Sequence, residues 1–151
     1  MKRLISAAAV CAVATGLVAI PGAVAKPAPK TVPAAITVNE SPNPVTAGTA
    51  VTASGNLASR ITCAKYRLVT LEWVDATQVA TPAGTATTGP TGDYSTTFNA
   101  PAAAGTYTLR ASVTEGDRTV GGKHKKHKKG RRFVCGGATA STAPVTVNAA
   151  L

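Results

Sequence analysis

The chain has 151 residues, with 16 lysines and arginines against six acids, two histidines, three cysteines and only 4% aromatic residues. That length supports one core of ordinary size and too little for two. A net charge of +10 with so few acids and histidines turns attention from acid–base chemistry towards an anionic partner.

The ends come first. Met1, Lys2 and Arg3 make a short cationic start, Leu4 to Ile20 is mostly apolar, Pro21 and Gly22 break a helix, and Ala23 to Ala25 forms a small-x-small cleavage site. Residues 1–25 therefore read as a secretory signal peptide. The alternative is a retained anchor, since Leu4 to Ala25 is just long enough to span a bilayer; the helix breaker and the Ala-x-Ala site favour cleavage. Cys11 would leave with the signal. Residues 26–34 are rich in proline and lysine and suit an extended linker, which leaves residues 35–151 as the domain.

Within that domain the apolar pattern has period two. Ala35 to Val38 opens it, and Ser41 to Pro44 is a turn, because each proline presets one backbone angle and biases its predecessor towards extended shapes. From Thr49 to Leu57, Val51, Ala53 and Leu57 point inward, with Gly55 available for a bend or bulge. Tyr66 to Val74 is a strong strand with Val69, Leu71 and Trp73 on one face. Gln78 to Thr88 weakens to threonine, alanine, proline and glycine, as in a short edge strand or a loop. A turn at Gly89 to Asp93 precedes Tyr94, Thr96 and Phe98, which alternate with polar neighbours. In Gly105 to Val113 the inward residues are Tyr107, Leu109, Ala111 and Val113. Phe133 to Ala138 and Pro144 to Val147 supply the last strands. With no capped stretch of period 3.6 and about seven short strands, the expected fold is an all-β, antiparallel β-sandwich carrying a long basic loop.

Three stretches carry a family resemblance: Ser41 to Gly55 (SPNPVTAGTAVTASG), Thr91 to Pro101 (TGDYSTTFNAP) and Gly105 to Leu109 (GTYTL). Together they resemble the bacterial immunoglobulin-like domains of secreted and surface proteins, over about Ala35 to Ala149. The resemblance implies an immunoglobulin-like sandwich with Tyr107 as a tyrosine-corner residue whose hydroxyl ties back to upstream backbone. It implies no particular activity. Leu109 stands where antibody-type domains have their second cysteine, so the inter-sheet disulfide of that group does not carry over.

Loss of the signal removes Cys11 and leaves Cys63 and Cys135, which in an oxidising compartment allow one intramolecular connectivity. A Cys63 to Cys135 disulfide is expected, against the alternative of two buried thiols. Loss of Lys2 and Arg3 leaves 14 cations against six acids, a net of +8. Eight of those cations lie between Arg118 and Arg132: Arg118, Lys123, Lys125, Lys126, Lys128, Lys129, Arg131 and Arg132. Outside that run, Lys26, Lys30, Arg60, Lys65, Arg67 and Arg110 match the six acids in number, so the excess is local.

A catalytic site would require a histidine or a free cysteine inside the fold, and both histidines, His124 and His127, lie among the lysines. Their spacing suits two metal ligands, but the flanking lysines repel a divalent cation and no acid or cysteine completes the shell. Glu72 with Asp75, and Glu115 with Asp117, are acids near turns, too sparse for the six to eight oxygens of a calcium site. The expectation is a non-enzymatic module with no cofactor and no metal. Lys123, Lys125, Lys126, Lys128, Lys129, Arg131 and Arg132 are its candidate ligands for a polyanion: an anionic envelope polymer, a sulfated glycan or an acidic surface. With no aromatic residue inside the run, sequence-specific nucleic-acid binding is not expected. The alternative is an extracellular accessory sandwich that meets a protein partner through a sheet face, its basic loop serving only solubility. The loop is also expected to be where a trypsin-like protease cuts.

Overall fold

A computed structural model describes residues 28–120 and 131–151. The expected signal peptide (residues 1–25) and the lysines from Lys123 to Lys129 lie outside the described residues. The first strands are β1 (Lys30–Val32), β2 (Ala35–Ile36), β3 (Asn39–Ser41), β4 (Val45–Thr46) and β5 (Ala50–Ala58). A single helical turn, α1 (Ile61–Ala64), leads into β6 (Leu68–Asp75), β7 (Ala80–Thr87), β8 (Asp93–Asn99) and β9 (Gly105–Val113). The chain ends through β10 (Gly116–Val120), β11 (Arg131–Cys135), β12 (Ala138–Ser141) and β13 (Val145–Asn148).

Over the described residues the protein is all-β, as its period-two pattern requires, but thirteen strands there replace the expected seven or so. Proline explains part of the difference. Pro42 and Pro44 have no N–H to give a ladder, so β3 and β4, which flank them, stay separate and only three and two residues long. Lys30–Val32, inside the stretch read as linker, is itself a strand, because Phe133 to Cys135 offer it a parallel ladder.

Three sheets result. One has six strands in the order β4, β13, β9, β6, β7, with β12 also on β9; a second has the order β2, β5, β3, with β8 also on β5. The third is small, with the order β1, β11, β10. Pairing is antiparallel except for β1 on β11 and β4 on β13, which are parallel and correct the expectation of a purely antiparallel fold. Each exception joins strands about a hundred residues apart, so no tight turn dictates their direction.

The two larger sheets bury one face each in a single cluster. Val51, Ala53 and Leu57 of β5 and Val69, Leu71 and Trp73 of β6 meet Leu109, Ala111 and Val113 of β9 and Val145 and Val147 of β13 there. Trp73 is its largest member: it stands edge-on to Phe98 at 5.8 Å and to Tyr107 at 6.3 Å, and its Nε1 donates to the Asn99 carbonyl at 3.3 Å. Burying each valine or leucine of this cluster stabilises by about 1.5–3 kcal/mol. Gly55 acts through close approach rather than as a bulge. A Cβ there would overlap the Thr37 carbonyl oxygen and lie 2.7 Å from Tyr94 Oη, and that oxygen is the one to which Tyr94 Oη donates, at 2.6 Å. The Tyr107 hydroxyl donates to the Ala103 carbonyl, upstream in the chain, at 3.2 Å.

β7 is a full edge strand, not a short one. Its register against β6 shifts between Leu71 and Glu72, and Pro82 sits beside that irregularity. An edge strand tolerates a residue that cannot donate, and a bulge there discourages pairing with other chains.

Candidate anion-binding arm

β9 and β12 are antiparallel partners up to Val113 and Ala138, and β10 and β11 resume the ladder at Gly116 and Cys135. Two residues on each strand, Thr114 and Glu115 opposite Gly136 and Gly137, interrupt it. The break requires close backbone approach: a Cβ on Gly137 would lie 2.9 Å from the Val113 carbonyl oxygen and one on Gly136 3.1 Å from that of Val32. A ribbon that begins in the six-stranded sheet thus leaves it and becomes the small sheet. Residues 121–130 join its two strands.

This changes the boundaries of the expected loop. Arg118 lies in β10 opposite Phe133, and Arg131 and Arg132 lie in β11 opposite Val120 and Thr119. Arg132 is ion-paired with Asp117, which raises its pKa through the hydrogen bond first and the charge second. Arg118 reaches inward, its Nη2 donating to the carbonyls of Lys65 at 3.3 Å and Tyr66 at 3.1 Å. Arg118 and Arg132, the two of the eight cations whose side chains are described, are therefore both engaged within the fold. Lys123, Lys125, Lys126, Lys128 and Lys129 lie outside the described residues.

Beside α1 the arm is fastened to the body. Cys63, in α1, and Cys135, at the end of β11, form the expected disulfide, with Cα atoms 5.3 Å apart across a sequence separation of 72. Beside it Arg67 is buried at 7% exposure. Its Nη1 donates to the Cys63 carbonyl at 3.1 Å and its Nη2 to the Thr114 carbonyl, so one guanidinium bridges α1 to the root of the arm. Thr88 completes the joint: its Oγ1 accepts from the Arg67 amide at 2.8 Å and donates to the Ala64 carbonyl at 2.6 Å. Burial, and then the Arg118 charge, pull the Arg67 pKa below its ordinary value.

Sequence reasoning missed that this joint gathers cations. Lys30, Arg60, Lys65 and Arg67 match distant acids in number, yet they sit on or beside the arm. The Cys63 to Cys135 pairing held the signal, since Arg60, Lys65 and Arg67 all lie within four residues of Cys63. Arg60 extends over the Phe133 ring at 5.6 Å to its centroid, and Lys65 Nζ is 6.0 Å from the Tyr66 ring. Tyr66 is 58% exposed and has a φ of 55°, a left-handed conformation uncommon for a bulky residue; it precedes β6 rather than starting it.

The acids elsewhere are occupied. Glu72 accepts from Arg110 Nη2 at 2.8 Å. Asp75 accepts from the Thr77 amide and hydroxyl and the Val79 amide, and Asp93 from Thr91 and Asn56; these bonds hold both carboxyls below the usual range. Among the described residues no three of His, Cys, Asp and Glu gather as a metal shell, and no helix is long and apolar enough to cross a membrane. No protein-family model, curated protein or solved structure matches the chain. The functional reading therefore stands on the arm's own chemistry.

Proposed function

We propose that the protein is an exported, non-enzymatic immunoglobulin-like β-sandwich that contacts an anionic polymer or surface through its basic arm. One observation carries this reading: the charge is segregated by sheet. The small sheet, its connecting segment 121–130 and the docking segment 60–67 hold twelve cations (Lys30, Arg60, Lys65, Arg67, Arg118, Lys123, Lys125, Lys126, Lys128, Lys129, Arg131 and Arg132) against Glu115 and Asp117. The two larger sheets hold Arg110 against Glu40, Glu72, Asp75 and Asp93. A cation cluster attracts phosphate or sulfate polymers because its charges release their condensed counterions. The two core-sharing sheets, the Tyr107 hydroxyl bond and the disulfide support the sandwich and export parts of the proposal.

Salt dependence tests it. If four to six polymer charges are neutralised on a DNA-like lattice, log K falls against log[salt] with a slope of roughly −4 to −5. Serine at Lys123, Lys125, Lys126, Lys128 and Lys129 should flatten that slope. A slope near zero in the parent, or an unchanged one in the variant, overturns the proposal and leaves the sheet faces as the place to seek a protein partner.

A further inference from the structure

The arm carries a concave feature distinct from its run of lysines. Between β1 and the entry to α1 lies an open cleft of about 200 Å³, lined by Lys30, Thr31, Val32, Pro33, Arg60 and Phe133. Among the described residues its walls hold two cations and no acid, and its apolar part consists of Val32, Pro33 and Phe133. The parallel pairing of β1 with β11 creates it, since the register sets Lys30 beside Phe133. Arg60 then closes one side by lying over that ring. Ring contact restrains a guanidinium without consuming its N–H groups, so the fork remains free for two oxygens of one ligand.

We infer that this cleft is a subsite for a single tetrahedral oxyanion substituent, a sulfate or phosphate ester, of the polymer that the arm binds. The inference deepens the polyanion reading and rests on it for its biological setting, but the subsite's chemistry is separate. A run of lysines reads charge density and is indifferent to geometry. A restrained arginine beside a lysine reads the shape of one group, because parallel N–H donors match two oxygens of a tetrahedral anion. Lys30 supplies the second charge as a mobile point donor. Val32, Pro33 and Phe133 offer contact to the carbon atoms next to the ester oxygen, which a free inorganic ion does not have.

The test uses the protein with serine at Lys123, Lys125, Lys126, Lys128 and Lys129, so that the lysine run cannot answer for the cleft. It is titrated with methyl sulfate, methyl phosphate and acetate while the amides of Thr31, Val32 and Phe133 and the Arg60 Nε–H are followed by NMR. Saturable shifts at these four positions, with millimolar dissociation constants for an ester and at least threefold weaker binding of acetate, are expected. Arg60→Lys should weaken ester binding about threefold to tenfold, because lysine keeps the charge and loses the fork. Lys30→Ala, at an exposed position in a three-residue strand, should weaken it less while leaving the Arg60 Nε shift. A preference for methyl phosphate identifies a phosphate-bearing polymer, and a preference for methyl sulfate a sulfated glycan. Linear shifts that never saturate, equal binding of acetate, or full affinity in Arg60→Lys each overturn the subsite. None of these outcomes bears on the salt slope of the parent protein, so the two readings fail separately.

Discussion

The two large sheets and the small one are held by different physics. In the large sheets β5, β6, β9 and β13 contribute aliphatic side chains and Trp73 to one apolar cluster, around which polar side chains such as Tyr94, Asn56 and Arg110 tie neighbouring segments together. Among the described side chains, none of β1, β10 or β11 joins that cluster. The small sheet is fastened instead by the Cys63 to Cys135 bridge, by Arg67 spanning two carbonyls and by Arg118 reaching two more. A hydrophobic core excludes charge, since an unpaired buried ion costs far more than a side chain contributes. A sheet fastened by a covalent bond and by arginine-to-carbonyl bonds can carry a cation excess without threatening a core. Segregating the charge onto the small sheet lets both regions follow their own rule.

The largest expected effect tests the large sheets' half of this comparison. Trp73→Ala empties the biggest position of the core and should cost about 3–5 kcal/mol in denaturant unfolding. Val134→Ala, half-buried on β11, should cost distinctly less. Equal losses would mean that the small sheet has an apolar core of its own. Next in size is the bridge. Serine at both Cys63 and Cys135 should lower stability by about 2–4 kcal/mol, mostly by freeing the unfolded chain. Hydrogen exchange should also show a local effect, with the amides of β10 and β11 losing protection before those of β6 and β9. Uniform loss across all four strands would show that the small sheet is not separately fastened.

This division also explains what the sequence disclosed. β5, β6, β8 and β9 were legible because half-burial imposes period two, and Val69, Leu71 and Trp73, like Leu109, Ala111 and Val113, occupy the predicted face. The Cys63 to Cys135 pairing was legible from the count of cysteines. β1 was not: Lys30, Thr31 and Val32 are too few to show a period, and their partner lies about a hundred residues away. α1 is one turn and has no period to read. β7 is built from small and polar residues whose strand conformation comes from pairing with β6 rather than from propensity. The arm was legible as charge and illegible as shape, because docking through Arg67 and Arg118 uses main-chain carbonyls, which every residue has.

A smaller effect, confined to alkaline pH, probes the seam between β5 and β8. Burial pushes the Tyr94 hydroxyl up from 10.0 to about 12, and as a phenol it donates to the Thr37 carbonyl. Above pH 10 the unfolded chain loses this proton while the folded one keeps it. The contribution is therefore complete below pH 10 and declines as pH rises towards 12. Parent and Tyr94→Phe should differ in stability by a constant amount up to pH 10, with the difference shrinking above it. A constant difference throughout would mean that the hydroxyl titrates alike in both states.

The smallest effect is expected from cutting the arm itself. Five lysines fall within residues 121–130, between the ends of β10 and β11. Strand amides that are paired on a ladder resist proteolysis because they must open first. One tryptic cut in this segment parts the chain into a piece carrying β1 to β10 and a piece carrying β11 to β13. Nothing in the core is severed: β12 and β13 still lie on β9, and Val145 and Val147 remain buried. The melting temperature should change little. Cys63 is in the first piece and Cys135 in the second, so the nicked protein should run as one band on a denaturing gel without reductant and as two with it. Two bands without reductant would remove the bridge and with it the covalent fastening of the small sheet. A large fall in melting temperature in the bridged, nicked protein would show that the fold depends on chain continuity through the arm, and would erase the distinction between the two regions.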